Sequence, residues 1–249
     1  MIQMTNAVKQ LIIINVLFFI CTTLVGAPAF DVLVAHFFKN PDFRAWQIVT
    51  HLFMHGGIIH LLSNMLGLLF FGPALEARWG SGKFLFFYFS CGIGAFLLHQ
   101  GIEYYFFNDA VNYLNEIGFK KTEIVDLLSK GLYDSRWQEN LSAMQFNNLV
   151  HNYNGVLLGA SGAIYGILVA FAFLYPNMEM MLFLIPIPIK AKYYVLGIIS
   201  VDIFMAMRGQ SLLGSSGGVA HFAHLGGALI AYIMMRIWSK NQFNNNRWN

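Results

Sequence analysis

Charge is what this 249-residue chain has least of: Asp, Glu, Lys and Arg together make up 11% of it, against 57% hydrophobic residues. A soluble domain carries about a quarter charged residues, so the deficit argues against a water-soluble globule and points to lipid. Neither sign of charge dominates. A formal net charge of +3 leaves no basic footprint for nucleic acid. Cysteine is nearly absent. Cys21 and Cys91 both fall in apolar stretches and read as small buried hydrophobes rather than a disulfide. No small-residue cleavage site follows the first apolar run, which reads as a retained span and not a signal peptide. Internal repeats and low-complexity tracts are missing too, apart from an Asn-rich tail expected to be frayed.

What is present is a series of long apolar runs. A bilayer core takes about 20 mainly apolar residues in a helix. Six stretches qualify as spans: Leu11–Ala27, Ile58–Leu75, Phe84–Ile102, Val156–Leu174, Tyr193–Met207 and Val219–Trp238. The expected fold is an all-α membrane protein, a single domain over 1–249 with six transmembrane helices. Basic residues set the orientation. With a cytoplasmic N-terminus, the cytoplasmic segments hold Lys9, Arg78, Lys83, Lys190, Lys192, Arg236, Lys240 and Arg247, opposed only by Glu76 and Glu179. On the other side Lys120, Lys121, Lys130 and Arg136 share one long loop, and long loops are translocated largely regardless of charge. Both termini are therefore expected on the cytoplasmic side. That loop, about 103–154, is an extracytoplasmic insertion between the third and fourth spans. Within it Thr122-Glu123 opens an amphipathic helix ending at Gly131. A second helical run follows Asp134, with Trp137, Leu141, Met144 and Leu149 near one face. The loop reads as a surface lid at the membrane interface, with a dedicated substrate-docking role as the alternative.

Polar residues at membrane depth are costly and are functional candidates by default. Three clusters qualify. Gly159-Ala160-Ser161-Gly162 opens the fourth span with a serine among small residues, at a helix N-terminus that favours developing negative charge; close helix packing explains such residues equally well. His224 lies in the sixth span, where Gly227 and Ala231 form a small face permitting close approach to the fourth. A histidine bonded to a backbone carbonyl or lining a pore is the competing explanation. The third cluster runs from His51 through His55 and His60 to Asn64. His60 and Asn64, four apart, share one helical face and could donate to an oxyanion. A metal held by His51, His55 and His60 is the alternative, weakened by the lack of an HExxH and by spacings that only partly share a face.

Taken together, these residues supply a nucleophile, a base and an oxyanion hole. The sequence resembles the rhomboid family of intramembrane serine proteases. The resemblance covers the second, fourth and sixth spans in order: His51/His55/His60/Asn64, Gly159–Gly162 as GxSG, and Ala223–Gly227 as AHxxG. Glu76 and Arg78 resemble a structural ExR element, and Tyr165 matches an aromatic that packs on the catalytic histidine. Three departures stand out: Trp46-Gln47 where the family often has Trp-Arg, Ala231 in the last GxxxG, and the longer loop after the third span.

The resemblance implies a water-filled cavity open to the extracytoplasmic side, with Ser161 at its floor and His224 as base. Ser161 N–H, His60 and Asn64 would hold the oxyanion, and His55, Gly159 and Tyr165 would support the site. It implies a dyad: the family pattern has no aspartate, so Asp202 is expected to be a polar residue facing the bundle interior. Arg208 to Gly218, rich in Gly and Ser, reads as a mobile cap or a flexible connector. Implied partners are the lipid bilayer and transmembrane proteins whose helices unwind easily; no cofactor, metal or nucleic acid is implied, and a bacterial cytoplasmic membrane is the expected location. Rival readings are a catalytically dead relative that binds clients without cutting them, and a histidine-using transporter.

Overall fold

The structure, a computed structural model, describes residues 4–182, 185–208 and 219–245. It opens with α1 (Asn6–Val25) and the short α2 (Ala27–Leu33), followed by a two-residue strand β1 (Ala35–His36) and α3 (Gln47–Thr50). A single 3-10 turn (His51–Phe53) leads to α4 (Ile58–Trp79), then α5 (Ser81–Glu116). Three short helices follow: α6 (Lys121–Ser129), α7 (Arg136–Asn140) and α8 (Ala143–Asn154). Strand β2 (Val156–Leu157) precedes α9 (Ser161–Leu174), a ladder of β3 (Glu179–Leu182) with β4 (Ile185–Lys190), α10 (Ala191–Arg208) and α11 (Val219–Asn245).

Helices α1, α4, α5 and the 221–240 stretch of α11 are long and apolar enough to cross a membrane, and α9 is a shorter apolar helix. Their outer faces expose Leu17, Leu24, Ile59, Phe86, Leu97 and Ile233, a surface that water penalises and lipid tails do not. At the centre α9 is held between α5 and α11. A Cβ added at Gly227 would collide with the Gly162 carbonyl, and one at Gly162 would lie 2.5 Å from the Ala95 Cβ. Only missing side chains let the three backbones come this close. Ala231, the relaxed position of the expected GxxxG, is fully buried and fits where it stands.

Glu76 ties three segments together. Its carboxylate accepts from the backbone N–H groups of Ala7 (2.8 Å) and Val8 (3.0 Å), from the Ser81 hydroxyl (2.6 Å) and from Thr5 Oγ1. Four orphan N–H groups begin every helix, and the dipole there favours an anion. The acid at the end of α4 thus caps α1 and meets the first residue of α5.

Four expectations need adjusting. The helix of the third span does not stop at Ile102: α5 continues to Glu116, because no proline interrupts 103–116 and Phe107, Ala110, Val111 and Leu114 keep one face buried. At about 1.5 Å per residue this 36-residue helix is about 54 Å long, well beyond a bilayer core of about 30 Å. The run after Asp134 is two helices rather than one. It breaks at Leu141, and α8 restarts with a capping box between Ser142 and Gln145; Met144 turns outward while Trp137, Leu141 and Leu149 are buried. Together α5, α6, α7 and α8 enclose a second apolar core around Trp137, Leu114, Ile124 and Tyr153. The fourth helix starts at Ser161, not Val156, because Val156 and Leu157 pair antiparallel with His36 and Ala35. Finally, Cys91 is buried but Cys21 is exposed, on the outer side of α1 where lipid tails suit a small apolar group as well as a core does. Residues 209–218 of the expected cap lie outside the described residues. So does the tail beyond Asn245, although part of the Asn-rich segment is helical.

Candidate active site

Ser161 is the first residue of α9, and the chain reaches it through a constrained approach. Pairing of β1 with β2 fixes residues 156 and 157, and Gly159 N–H donates to the His51 carbonyl at 2.9 Å. Gly159 has φ +113°, a conformation that side-chain-bearing residues avoid. A Cβ there would lie 2.8 Å from His60 Nε2 and 3.6 Å from Asn64 Nδ2. These two side chains therefore lie over the backbone just before Ser161.

Across the interface, His224 comes from α11. Its Nε2 is 2.9 Å from Ser161 Oγ, within hydrogen-bond range. The ring stacks on Tyr165, one turn along α9 from Ser161, with centroids 4.2 Å apart and planes 10° from parallel. His224 is partly exposed, at 18% of its side chain, and Ser161 is half-buried, so both remain reachable.

The first loop supplies the other wall. Within the run from His51 to Asn64, only His60 and Asn64 are on α4, whereas His51 and His55 precede it. The His55 and His60 rings are 5.0 Å apart. His51 Nδ1 donates to the Gln47 carbonyl at 2.8 Å, and its ring lies against Phe96. Burial holds both His51 and His55 down to about 4, with the neighbouring His60 adding to the effect at His55. Among the described residues, the donor atoms of His51, His55 and His60 do not converge as a metal-binding group; Asp202, His221 and His224 do. Asn64 is buried, and its Nδ2 has no hydrogen-bond partner among the described residues.

Two glutamines brace this wall. Gln47 stands where the family often has arginine, and its fully buried amide makes four hydrogen bonds. It accepts from His36 N–H (3.3 Å) and Arg44 N–H (3.1 Å), and donates to the carbonyls of Val32 (3.3 Å) and Asp42 (3.1 Å). Gln100 of α5 accepts from Phe38 N–H (2.9 Å) and donates to the His36 carbonyl (3.2 Å). Neutral side chains thus satisfy the loop backbone without burying a charge.

Sequence reasoning missed one arrangement. Asp202 does face the bundle interior, at 4% exposed, but its Oδ1 is also 3.4 Å from His224 Nδ1 and hydrogen-bonded to His221 Nδ1. The available signal was the pairing of an acid in an apolar helix with a second histidine three residues before the first.

Several known proteins resemble part of the chain. It is 42% identical over 57 residues to Rhomboid-like protease 3 of Toxoplasma gondii, covering 23% of this chain and 22% of that protein. It is 38% identical over 71 residues to Rhomboid protease GlpG of Salmonella newport, covering 28% of this chain and 26% of that protein. The chain thus spans about a quarter of the length of the curated relatives it matches. The Rhomboid domain model matches residues 42–112 and 139–241, leaving unmatched the stretch that holds α6. Since that match takes in well over half of the sequence, this chain belongs to the rhomboid family.

Proposed function

We propose that the chain is an intramembrane serine endopeptidase that hydrolyses peptide bonds in or near the transmembrane segments of other membrane proteins. The 2.9 Å approach of Ser161 Oγ to His224 Nε2 carries this reading, since a serine hydroxyl becomes a competent nucleophile only beside a base able to take its proton. His224 accepts that proton as Oγ attacks the scissile carbonyl. The carbonyl electron pair moves onto oxygen, where Ser161 N–H, His60 and Asn64 donate to the oxyanion. His224 then protonates the leaving amine, and water hydrolyses the acyl-enzyme in the second half-reaction. The Asn64 Nδ2, unpartnered among the described residues, and its position over Gly159 support its role as a donor. The steps need neither metal nor cofactor, so activity is expected to survive a chelator.

In this reading α1, α4, α5, α9, α10 and α11 are the six spans of one domain, the segment about 103–154 is an extracytoplasmic insertion, and both termini are cytoplasmic. The distribution of lysine and arginine supports that orientation, and the membrane is read as a bacterial cytoplasmic one. Helix α9, with 14 residues, is about 21 Å long, short of the roughly 30 Å core. That shortfall supports placing Ser161 below the outer membrane face, in a cavity wet enough for hydrolysis. Substrates would be single-span proteins with helix-breaking residues near the cut, because a bond locked in a helix cannot reach the serine in extended form. Incubating the detergent-purified chain with a model transmembrane substrate tests the proposal: cleavage by wild type that Ser161→Ala abolishes supports it, and undiminished cleavage by that variant refutes it.

A further inference from the structure

We infer that Asp202 is a positioning residue for His224 and that His221 holds its carboxylate, so the reacting pair works as part of a serine–histidine–aspartate triad inside the bundle. The inference rests on the reading of Ser161 and His224 as nucleophile and base, and it departs from the dyad that the family resemblance implies.

The proton count on one ring sets the roles. A neutral imidazole has one N–H and one bare nitrogen. His224 Nε2 faces Ser161 Oγ at 2.9 Å and takes the hydroxyl proton only when bare, so the ring proton must be on Nδ1. Asp202 Oδ1 lies 3.4 Å from that Nδ1. An ionised carboxylate only accepts, so it favours the Nδ1–H tautomer and no other. The separation is long for a hydrogen bond in the resting site, and contacts of this kind shorten as charge develops. When the Oγ proton moves to Nε2, the ring becomes a cation whose charge faces the carboxylate. Asp202 stabilises that cation and takes no proton itself.

His221 gives the carboxylate its aim. It precedes His224 by three residues on α11, so the two side chains share one face, and its Nδ1 is hydrogen-bonded to the same Oδ1. The acid on α10 is thereby tied to the helix that carries the base. A buried carboxylate in an apolar bundle is costly unless paired; here two histidines, 8% and 18% exposed at the side chain, flank it, and the Tyr165 hydroxyl interacts with it as well. A metal fits the same three residues less well. Two ligands of one tetrahedral zinc, each at about 2.0–2.2 Å, stand roughly 3.4 Å apart, whereas Asp202 and His221 are in direct hydrogen-bond contact. The remaining nitrogen of His224 is already engaged by Ser161.

Three readouts on the detergent-purified full chain test the inference. They are kcat and KM on a model transmembrane substrate, the rate at which a fluorophosphonate labels Ser161, and the ¹⁵N signals of the His224 ring. Asp202→Asn is expected to lower kcat at least about tenfold with KM within about threefold, and to slow labelling by a similar factor. His221→Gln is expected to do the same less severely. In wild type the ring proton is expected on Nδ1, and in Asp202→Asn it is expected to shift toward Nε2. The wild-type spectrum decides the question even if the variants fail to fold: a ring protonated on Nε2 overturns the inference. So does an Asp202→Asn enzyme whose kcat and labelling stay within about twofold of wild type. If wild type cleaves no substrate, the protease reading fails, while the tautomer still reports on Asp202.

Discussion

The imidazole of His224 lies face to face with the phenol ring of Tyr165, 4.2 Å between centroids and 10° from parallel. The stack holds the plane of the ring, and the plane decides whether Nε2 points at Ser161. Tyr165→Ala is expected to lower kcat by about 10–100-fold, because misplacing a reacting group by about 1 Å costs that much. Tyr165→Phe keeps the ring but loses the hydroxyl that interacts with Asp202, so a smaller loss than in Tyr165→Ala is expected. Steady-state kinetics on one substrate compare the two; equal losses would show that the stack does not matter.

Gly159 sits at φ +113° beneath His60 and Asn64. We predict that Gly159→Ala costs about 1–3 kcal/mol in backbone strain and pushes His60 off the site. Activity should fall more than stability does. Thermal unfolding in detergent beside kcat measures both, and an alanine variant with wild-type kcat would contradict the prediction.

Glu76 gathers Thr5, Ala7, Val8 and Ser81, far from Ser161. Glu76→Ala leaves buried N–H groups at the start of α1 without partners and is expected to destabilise the protein by about 2–4 kcal/mol. The protein that remains folded at low temperature should keep its kcat. Loss of activity with no fall in melting temperature would refute this division of labour.

Burial lowers His51 and His55 to about 4, below the roughly 6.5 of an unfolded histidine. Between those values the unfolded chain binds more protons than the folded one, so acid favours unfolding. The stability these residues contribute is fully present above about pH 6.5 and is lost as pH falls toward 4. At pH 5 the loss is about 2 kcal/mol for each residue, at about 1.4 kcal/mol per unit. Melting temperatures in detergent should drop from pH 7.5 to pH 5, and less steeply in His55→Gln. A flat profile would contradict this.

What could be read in advance follows the range of the signal. Ser161, His224, His60 and Asn64 stood out because a polar group in an apolar run is anomalous within a few residues of itself. The meeting of α9 with α11 was legible in Gly227 and Ala231, since small residues four apart on an apolar helix mark a close-packed face. Asp202 is different: it is 22 positions before His224, and only the path of α10 sets one beside the other. Gln47 and Gln100 were silent for a related reason, because their partners are backbone groups of a loop that has no shape until it folds. The overrun of α5 past Ile102 was hidden by polarity. Glu103 and Asp109 look like the end of a span, but a helix leaving the bilayer continues wherever one face still finds a core, as Val111 and Leu114 do.

The central claim is that Ser161 Oγ is a nucleophile activated by His224. Treating the wild-type chain with a fluorophosphonate and mapping the adduct by mass spectrometry tests it most directly. The account predicts one modified residue, Ser161, with labelling lost in Ser161→Ala and slowed at least about a hundredfold in His224→Ala. Labelling of Ser161 at the same rate with His224 removed, or none at all in an enzyme that cleaves, would contradict it.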